Sequence, residues 1–597
     1  MLRVALAFFL CVYGTAILIG GSILSSKVFR TLFPKKDHDT LTECILGFAL
    51  LPVFVTYGAF LHIWQIPMLP EIAGAICVIV AVWEVIPWYQ SLRHHRWHPN
   101  LRIAVLPAIA FLSILIGKYC NLLGGQNNGD DVRSIALTGA FATNFLKPAF
   151  PFDFSVPISY SYYLYESSAF LYATFGGLLF PSLPVLLVNL GVVLALYAAL
   201  YRVARTFFPY QGQTGYIIAS LFLTFYGFDG FRPEPYTQGH IEWWNWLQVT
   251  QMSSIMHWVY QYLFSTVLVG LGIATFASAL AHKQREALYT AALLCLLAFG
   301  YGTFPAVWAA PAILLGAAWF LALHRWNAVT FFLRCFPSIT GLSLFAFLPQ
   351  AFTFVSRDTL FSLGSPRTWF GGIPAPLPLQ VLHQSKMLFM EFGPFLLLGM
   401  VVGMLALRRA RPQTEQQWLR FIAAAVIAVM VFLMTFSHAP VFDWFARGMM
   451  PGMFFAAFFA AATCLPLLKQ WRIATCALLF ILLLPQAYTF FLEHYFRTRT
   501  CGFPSEATLK VHRDFPFGTV IHTDGALFQE IIHAGRAVLT KNYQILDAYL
   551  NDRSFLRDTV AWSEPFTPCT KTLYGRSTPS GWYVEHTSEK DTWALCP

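Results

Sequence analysis

The chain has 597 residues, of which 57% are hydrophobic and only 11% are charged, with 39 Lys and Arg against 29 Asp and Glu. A soluble domain carries roughly 25% charged residues, so this composition excludes a chain folded mainly in water. Most of the polypeptide is therefore expected in lipid. The basic excess lies in the apolar part, where the retention of Lys and Arg in cytoplasmic loops explains it. Nothing in the sequence indicates a nucleic-acid partner.

Apolar runs long enough to cross about 30 Å of hydrocarbon, which takes ~20 residues, recur along the chain. They predict a polytopic α-helical membrane protein with about 14 transmembrane helices by that length criterion. The runs lie near residues 4–26, 43–63, 70–90, 102–119, 182–201, 212–228, 258–281, 287–303, 306–323, 329–350, 387–407, 418–437, 448–468 and 473–492.

Basic residues concentrate in alternate connections between these runs, which predicts that those connections are cytoplasmic and that both termini face outward. The basic connections are 27–42, 91–102, 202–211, 282–286, 324–328, 408–417 and 469–472. The absence of any Asn-x-Ser/Thr sequon favours a bacterial inner membrane with a periplasm-facing site over the endoplasmic reticulum. We therefore assign residues 1–493 to a transmembrane domain and residues 494–597 to an extracytoplasmic domain.

Three outward connections, 120–181, 229–257 and 351–386, are too long for plain turns and are aromatic rather than Ser/Gly-rich. The first contains Asn127-Asn128-Gly129-Asp130-Asp131-Val132-Arg133 directly after the fourth apolar run. Adjacent carboxylates are costly near lipid unless they are paired, hydrated or coordinating. A solvated turn is the alternative, because Asn, Gly and Asp all favour turns.

Farther along the first loop, Lys147 precedes a run rich in tyrosine, 160–166, that includes Tyr162. Tyrosines suit stacking on a sugar, but they equally suit the headgroup belt of a membrane protein, and we favour the belt. Residues 167–180 are apolar and too short to span, which predicts a re-entrant or in-plane helix.

The other two loops offer further candidate ligands. Glu234, His240 and Glu242 could bind a cation or a substrate together with His257, although their irregular spacing matches no metal motif. We favour a solvated loop anchored by interfacial tryptophans. Arg367 in the third loop, and Arg447 in a shorter one, could hold a phosphate of a substrate or of an anionic lipid.

The tail has balanced charge and ordinary hydrophobicity, and its pattern predicts a small α/β domain. Strands are expected at 518–523 and 537–540, each followed by a helix, at 526–534 and 545–556. Such an order predicts a parallel strand pair. Cys501, Cys569 and Cys596 lie in this tail, and a disulfide between Cys569 and Cys596 is one of the pairings open to them in an oxidising compartment.

The many apolar spans, the Asp130-Asp131 pair in a long outward loop, the aromatic loops and the C-terminal domain together resemble the GT-C superfamily of integral membrane glycosyltransferases. These enzymes take sugars from polyprenyl-phosphate-linked donors. The resemblance implies a general base or metal ligand at Asp130 and Asp131. In that superfamily the aspartates commonly follow the first helix, whereas three further spans precede them here.

The resemblance implies a hexosyl- or pentosyltransferase, with inversion at the sugar carbon. A carboxylate can take the proton of the acceptor hydroxyl, and Arg133, Lys147, Arg367 and Arg447 can stabilise the departing phosphate. A divalent cation, Mg, Mn or Ca, could bridge Asp130 and that phosphate. The partners expected are membrane lipids, the lipid-linked donor and a glycan, lipid or protein acceptor, with the oligomeric state open.

Two other functions stay open at this stage. A transporter or flippase places ionisable residues near the bilayer midplane, whereas these apolar runs are nearly free of charge and the polar residues gather in the outward loops. A polymerase or ligase of lipid-linked glycans shares the topology and differs in its oligosaccharide donor on a diphosphate carrier.

Overall fold

The computed structural model describes residues 2–32, 40–66, 68–94, 101–124, 129–143, 149–150, 153–157, 163–175, 180–225, 260–351, 396–408, 411–436, 448–481, 483–484, 520–523, 537–540, 583–587 and 592–596. Most of these residues are helical. The first eight helices are α1 (Leu2–Leu32), α2 (Thr40–Phe60), α3 (Leu69–His94), α4 (Leu101–Gly124), α5 (Gly129–Thr143), α6 (Tyr163–Thr174), α7 (Ser182–Phe207) and α8 (Gly212–Phe225).

Eight more helices follow in the described chain. They are α9 (Tyr260–His282), α10 (Arg285–Tyr301), α11 (Thr303–His324), α12 (Trp326–Ala351), α13 (Leu396–Arg408), α14 (Glu415–Phe436), α15 (Met450–Gln470) and α16 (Arg472–Ile481). A single 3₁₀ turn, Ile63–Gln65, follows α2.

Each apolar run predicted from the sequence overlaps one of these helices. Within the described residues, 8 helices are long and apolar enough to cross a bilayer. They are α1, α2, α7, α9, α11, α12, α14 and α15. The chain is therefore an integral membrane protein, while the total of about 14 spans by the length criterion stays a prediction.

The central helix of the bundle is α9, which packs against α7, α10, α11, α14 and α15. Nearly all of its residues are buried, including Leu263, Phe264 and Val267. A helix that is apolar on every side is stable only when other helices or lipid surround it. Gly270 lets the Phe454 ring of α15 approach α9, since a Cβ there would lie 2.8 Å from the ring.

Two glycines let the backbones of the first three helices approach one another closely. A Cβ on Gly20 of α1 would lie 1.7 Å from the carbonyl oxygen of Cys77 in α3, and one on Gly47 of α2 would lie 2.0 Å from that of Ser22 in α1. Small residues permit such approaches between membrane helices. α1 is thereby packed tightly between α2 and α3.

One end of the bundle, which we call the inner end, collects the short basic connections predicted to be cytoplasmic. Glu415 at the start of α14 lies 3.8 Å from Arg202 of α7 and 3.6 Å from His282 of α9. Lys27 and Glu84 pair there too, as do Arg30 and Glu43. Exposed aromatic side chains at the inner-end turns, typical of a headgroup interface, are Tyr210, Trp326 and Trp471.

The loop 120–181 contains more regular structure than its sequence suggested. The stretch that we interpreted as a loop or solvated turn around Asp130 is helical from Gly129 onward, in α5. A short antiparallel pair follows, β1 (Ala149–Phe150) with β2 (Asp153–Pro157). The apolar helix expected at 167–180 is present as α6, which begins earlier, at Tyr163.

The described part of the tail forms a four-stranded sheet in the order β4-β3-β5-β6. Its strands are β3 (Val520–Thr523), β4 (Ala537–Thr540), β5 (Tyr583–Thr587) and β6 (Thr592–Cys596). The two expected strands are β3 and β4, and they pair in parallel. β5 and β6 form an antiparallel pair that was not expected from the sequence. The two expected helices lie outside the described residues.

Candidate functional site

The end of the bundle opposite the inner end, which we call the outer end, carries α5. This helix begins five residues after α4 ends, with Asp130, Asp131 and Arg133 at its start. Negative charge in the first turn of a helix is favoured by the helix macrodipole. The helical start therefore suits a charged aspartate, as a base or a metal ligand requires.

α5 packs against α6, and it also touches α7, β1 and the C-terminal strand β4. The tail thus meets the helix that begins with Asp130 and Asp131. Cys596 ends β6 opposite Tyr583, and Cys569 lies outside the described residues.

Glu166, in the first turn of α6, is fully buried. Its Oε1 atom lies 2.8 Å from the Thr56 hydroxyl of α2. Its Oε2 atom is buried and has no hydrogen-bond partner among the described residues. Burial raises the pKa of Glu166 well above the usual value, and the neighbouring Thr56 hydroxyl opposes that rise only in part. The neutral acid is thereby favoured.

A proline interrupts α2 near Glu166. Pro52 has no N–H, so the carbonyl of Phe48, four residues earlier, loses its helical partner. Tyr301 of α10 supplies a replacement, because its buried hydroxyl lies 3.4 Å from the oxygen of Phe48 and 3.2 Å from that of Ala49. The interruption in α2 is thus stabilised by a donor from another helix.

The same arrangement occurs in α12. Pro349 removes the helical donor for the carbonyl of Phe345, which accepts a hydrogen bond of 2.9 Å from Tyr57. The neighbouring carbonyl of Ala346 accepts one of 2.7 Å from Tyr163. Tyr57 also stacks on the Phe345 ring, with the two centroids 5.2 Å apart.

These contacts join four helices, α2, α6, α10 and α12, through hydrogen bonds. We call the participating side chains the outer cluster; they are Thr56, Tyr57, Tyr163, Glu166 and Tyr301. Each hydroxyl here pairs with an acceptor inside the bundle, and such pairing rigidifies the packing. The outer cluster can therefore hold α6, and with it α5, in a fixed position.

The structure corrects our interpretation of two tyrosines in the run 160–166, while Tyr160 and Tyr162 lie outside the described residues. Tyr163 and Tyr165 are buried inside the bundle, so they do not belong to a headgroup belt. Tyr165 donates to the side-chain oxygen of Gln261, 3.0 Å away. A recognisable signal was present in the sequence, because a proline inside an apolar run leaves a carbonyl that another buried donor must satisfy.

Most of the other predicted site residues lie outside the described chain, and their roles stay predictions. They are Lys147, Tyr162, Glu234, His240, Glu242, His257, Arg367 and Arg447. Within the described residues, no group of three or more His, Cys, Asp or Glu side chains could hold a metal ion. The structure therefore packs α5, the helix that begins with Asp130 and Asp131, against α6 and leaves the cationic part of the site as a prediction.

Fold and site together define a polytopic membrane protein with a candidate site at its outer end. No family model and no curated protein matches the sequence. Among solved structures, the chain is similar to the crystal structure of ArnT from Cupriavidus metallidurans in the apo state. The two have 9% identity and a TM-score of 0.46, over 77% of this chain and 88% of that one. A likeness at this level assigns neither a family nor an activity.

Proposed function

We propose that the protein is a membrane glycosyltransferase of the GT-C kind. It moves a hexosyl or pentosyl group from a polyprenyl-phosphate-linked donor to a glycan, lipid or protein acceptor. The reaction takes place at the extracytoplasmic face, which we place in the periplasm of a bacterial cell.

The observation that carries this proposal is the position of α5. Two adjacent aspartates stand at the start of a helix that begins where α4 leaves the bundle, and this helix packs on the buried α6. Such a position brings carboxylates to the membrane boundary on a supported element. A lipid-linked donor reaches the same boundary with its headgroup while its tail stays among the helices.

The proposed step is a single displacement at the sugar. The acceptor hydroxyl oxygen attacks the anomeric carbon, and its proton passes to Asp130. The bond between that carbon and the phosphate oxygen breaks, and its electron pair leaves with the polyprenyl phosphate. Arg133, Lys147, Arg367 and Arg447 are the proposed cations that stabilise the departing phosphate. The sugar carbon is inverted.

Helix geometry supports different roles for the two aspartates. Consecutive residues of an α-helix do not face each other, so one of the pair is the better placed for any single partner. We assign the base to Asp130 and an orienting role to Asp131. Carboxylate oxygens are the ligands that Mg, Mn and Ca prefer, and such a cation would neutralise charge on the donor phosphate when bound.

A transfer assay with aspartate variants tests the proposal. Membranes containing the full chain are given undecaprenyl-phosphate-linked hexoses and pentoses with labelled sugar, and the label that leaves the lipid is measured. Asp130→Asn is expected to lower the rate about 10²- to 10⁴-fold, the usual worth of a general base. Asp131→Asn is expected to have a smaller effect.

Asp37→Asn is the matched control, because it makes the same change in a connection predicted to be cytoplasmic. It is expected to leave the rate unchanged. All three variants should be present in the membrane at the wild-type level and melt at the wild-type temperature. Full turnover by Asp130→Asn would refute the base assignment, and a wild type that consumes none of these donors would refute the proposed function.

A further inference from the structure

We propose that Glu166 is a positioning residue of the α5 site and that its carboxyl group is uncharged and donates a hydrogen bond to Thr56. The inference rests on the proposed function for the reaction that it serves. It assigns a role to a buried carboxyl group that the proposed displacement does not use.

Counting protons at Thr56 leads to this assignment. The hydroxyl of Thr56 has one hydrogen, yet its oxygen lies 3.0 Å from the carbonyl oxygen of Pro52 and 2.8 Å from Oε1 of Glu166. The carbonyl can only accept. Both contacts are full hydrogen bonds when Glu166 is protonated. Its O–H then donates a hydrogen bond to the Thr56 oxygen, and the Thr56 hydroxyl donates one to the carbonyl of Pro52.

The charged alternative is costly at this position. No charged side chain among the described residues acts on Glu166, whose pKa responds to burial and to Thr56. A carboxylate here would be a buried charge without a counter-charge, and it would leave Oε2 as an unpaired anionic oxygen. In the neutral acid Oε2 is an ordinary carbonyl oxygen, and an unpartnered acceptor of that kind costs less.

The position of Glu166 in the fold connects it to α5. It stands in the first turn of α6, and Thr56 lies just beyond the proline interruption of α2. The chain of hydrogen bonds therefore ties the start of α6 to the outer part of α2. Because α6 packs against α5, the same tie fixes the helix that begins with Asp130 and Asp131.

Infrared spectroscopy of the full-length protein tests the proton. The wild type at neutral pH is expected to show a protonated-carboxyl band that Glu166→Gln lacks. Thr56→Val is expected to shift that band, because the variant removes the partner of the acid. Thr56→Ser, which keeps the hydroxyl, is expected to leave the band in place. If the wild type and Glu166→Gln showed the same protonated-carboxyl bands, the proposal would be overturned.

Turnover of the labelled undecaprenyl-phosphate sugars tests the positioning role. Thr56→Val is expected to lower kcat by up to about 100-fold, the cost of a small misplacement of reacting groups, with KM for the donor nearly unchanged. Thr56→Ser should recover the loss. Glu166→Gln should keep most of the wild-type kcat, because its amide still donates to Thr56.

Thr275→Val is the matched control. Thr275 is also buried and donates to a backbone carbonyl four residues earlier, that of Leu271, but it has no carboxyl partner among the described residues. The kcat of the Thr275→Val variant is expected to equal that of the wild type. Equal kcat in Thr56→Val and Thr275→Val would overturn the positioning role.

Loss of turnover in Glu166→Gln, with the protein folded, would also overturn the proposal, since it would show that the carboxyl group itself takes part in the reaction. A wild type that turns over no donor refutes the proposed function and, with it, the positioning role. The infrared difference then still decides whether Glu166 is protonated, so the two failures are told apart.

Discussion

The inner and outer ends of the bundle are fastened by different interactions. At the inner end, charged side chains such as Glu415, Arg202 and His282 meet at partly exposed positions between short turns. At the outer end, Tyr57, Tyr163 and Tyr301 donate neutral hydrogen bonds to backbone carbonyls inside the protein.

The difference reflects how far the two sets of side chains are exposed to water. Exposed ion pairs contribute little, because water and salt screen them. A buried hydrogen bond is costly to lose, because the group that remains cannot turn to water. We therefore expect the outer cluster to be sensitive to single substitutions and the inner end to tolerate them.

The largest stability effect is expected from Tyr301→Phe. The change leaves the carbonyls of Phe48 and Ala49 without this donor, at a cost of about 1–3 kcal/mol for an unsatisfied buried group. Thermal unfolding of the purified protein measures it. Tyr197→Phe is the matched control, since that buried hydroxyl pairs with the Thr224 side chain instead of a backbone carbonyl. Equal losses in the two variants would contradict the account.

Pro52→Ala tests whether the Phe48 carbonyl depends on Tyr301. Alanine restores the N–H that the Phe48 carbonyl lacks, so this carbonyl no longer depends on Tyr301. In the Tyr301→Phe background, Pro52→Ala is expected to recover about 1 kcal/mol, the net worth of one hydrogen bond. A double variant that melts below Tyr301→Phe would show that the proline interruption has another role.

A smaller, pH-dependent effect is expected from Glu166. Burial raises its pKa in the folded protein, whereas the unfolded chain titrates near the usual value of about 4.3. The folded state therefore binds the extra proton, and stability is highest below that value and falls as pH rises toward the folded pKa. Unfolding measured across pH should show this slope in the wild type and a flatter one in Glu166→Gln.

The smallest effect is expected at the inner end, from Glu415→Gln. The carboxylate is partly exposed and lies 3.8 Å from Arg202, so its loss should cost at most about 1 kcal/mol. Because salt screens such pairs, the difference from wild type should shrink at high ionic strength. A cost equal to that of Tyr301→Phe would contradict the comparison between the two ends.

Much of the helical order could be predicted from the sequence, because long apolar runs have few stable alternatives in a bilayer. The common location of connections 202–211, 282–286 and 408–417 followed from their basic residues, and the contacts of Glu415 confirm it. The helix that starts at Gly129 was not predicted, since Asn, Gly and Asp next to a span are equally typical of a turn.

The outer cluster could not be predicted because its contacts join distant parts of the sequence. Tyr57 and Phe345, or Thr56 and Glu166, meet only after several helices have packed. A proline inside an apolar run, such as Pro52, indicates that one carbonyl lacks its helical donor, but it does not indicate that Tyr301 supplies another. For the same reason the sequence favoured a headgroup belt for Tyr163 and Tyr165, which are buried.

The contact between α5 and β4 sets an order for the maturation of this protein. α5 is made early, whereas β4 (Ala537–Thr540) emerges from the ribosome only after the described helices of the bundle. The surroundings of α5 are therefore completed only when β4 has been made and has docked. The helices of a nascent chain can thus insert into the membrane well before the surface around α5 is finished, which delays any chemistry there.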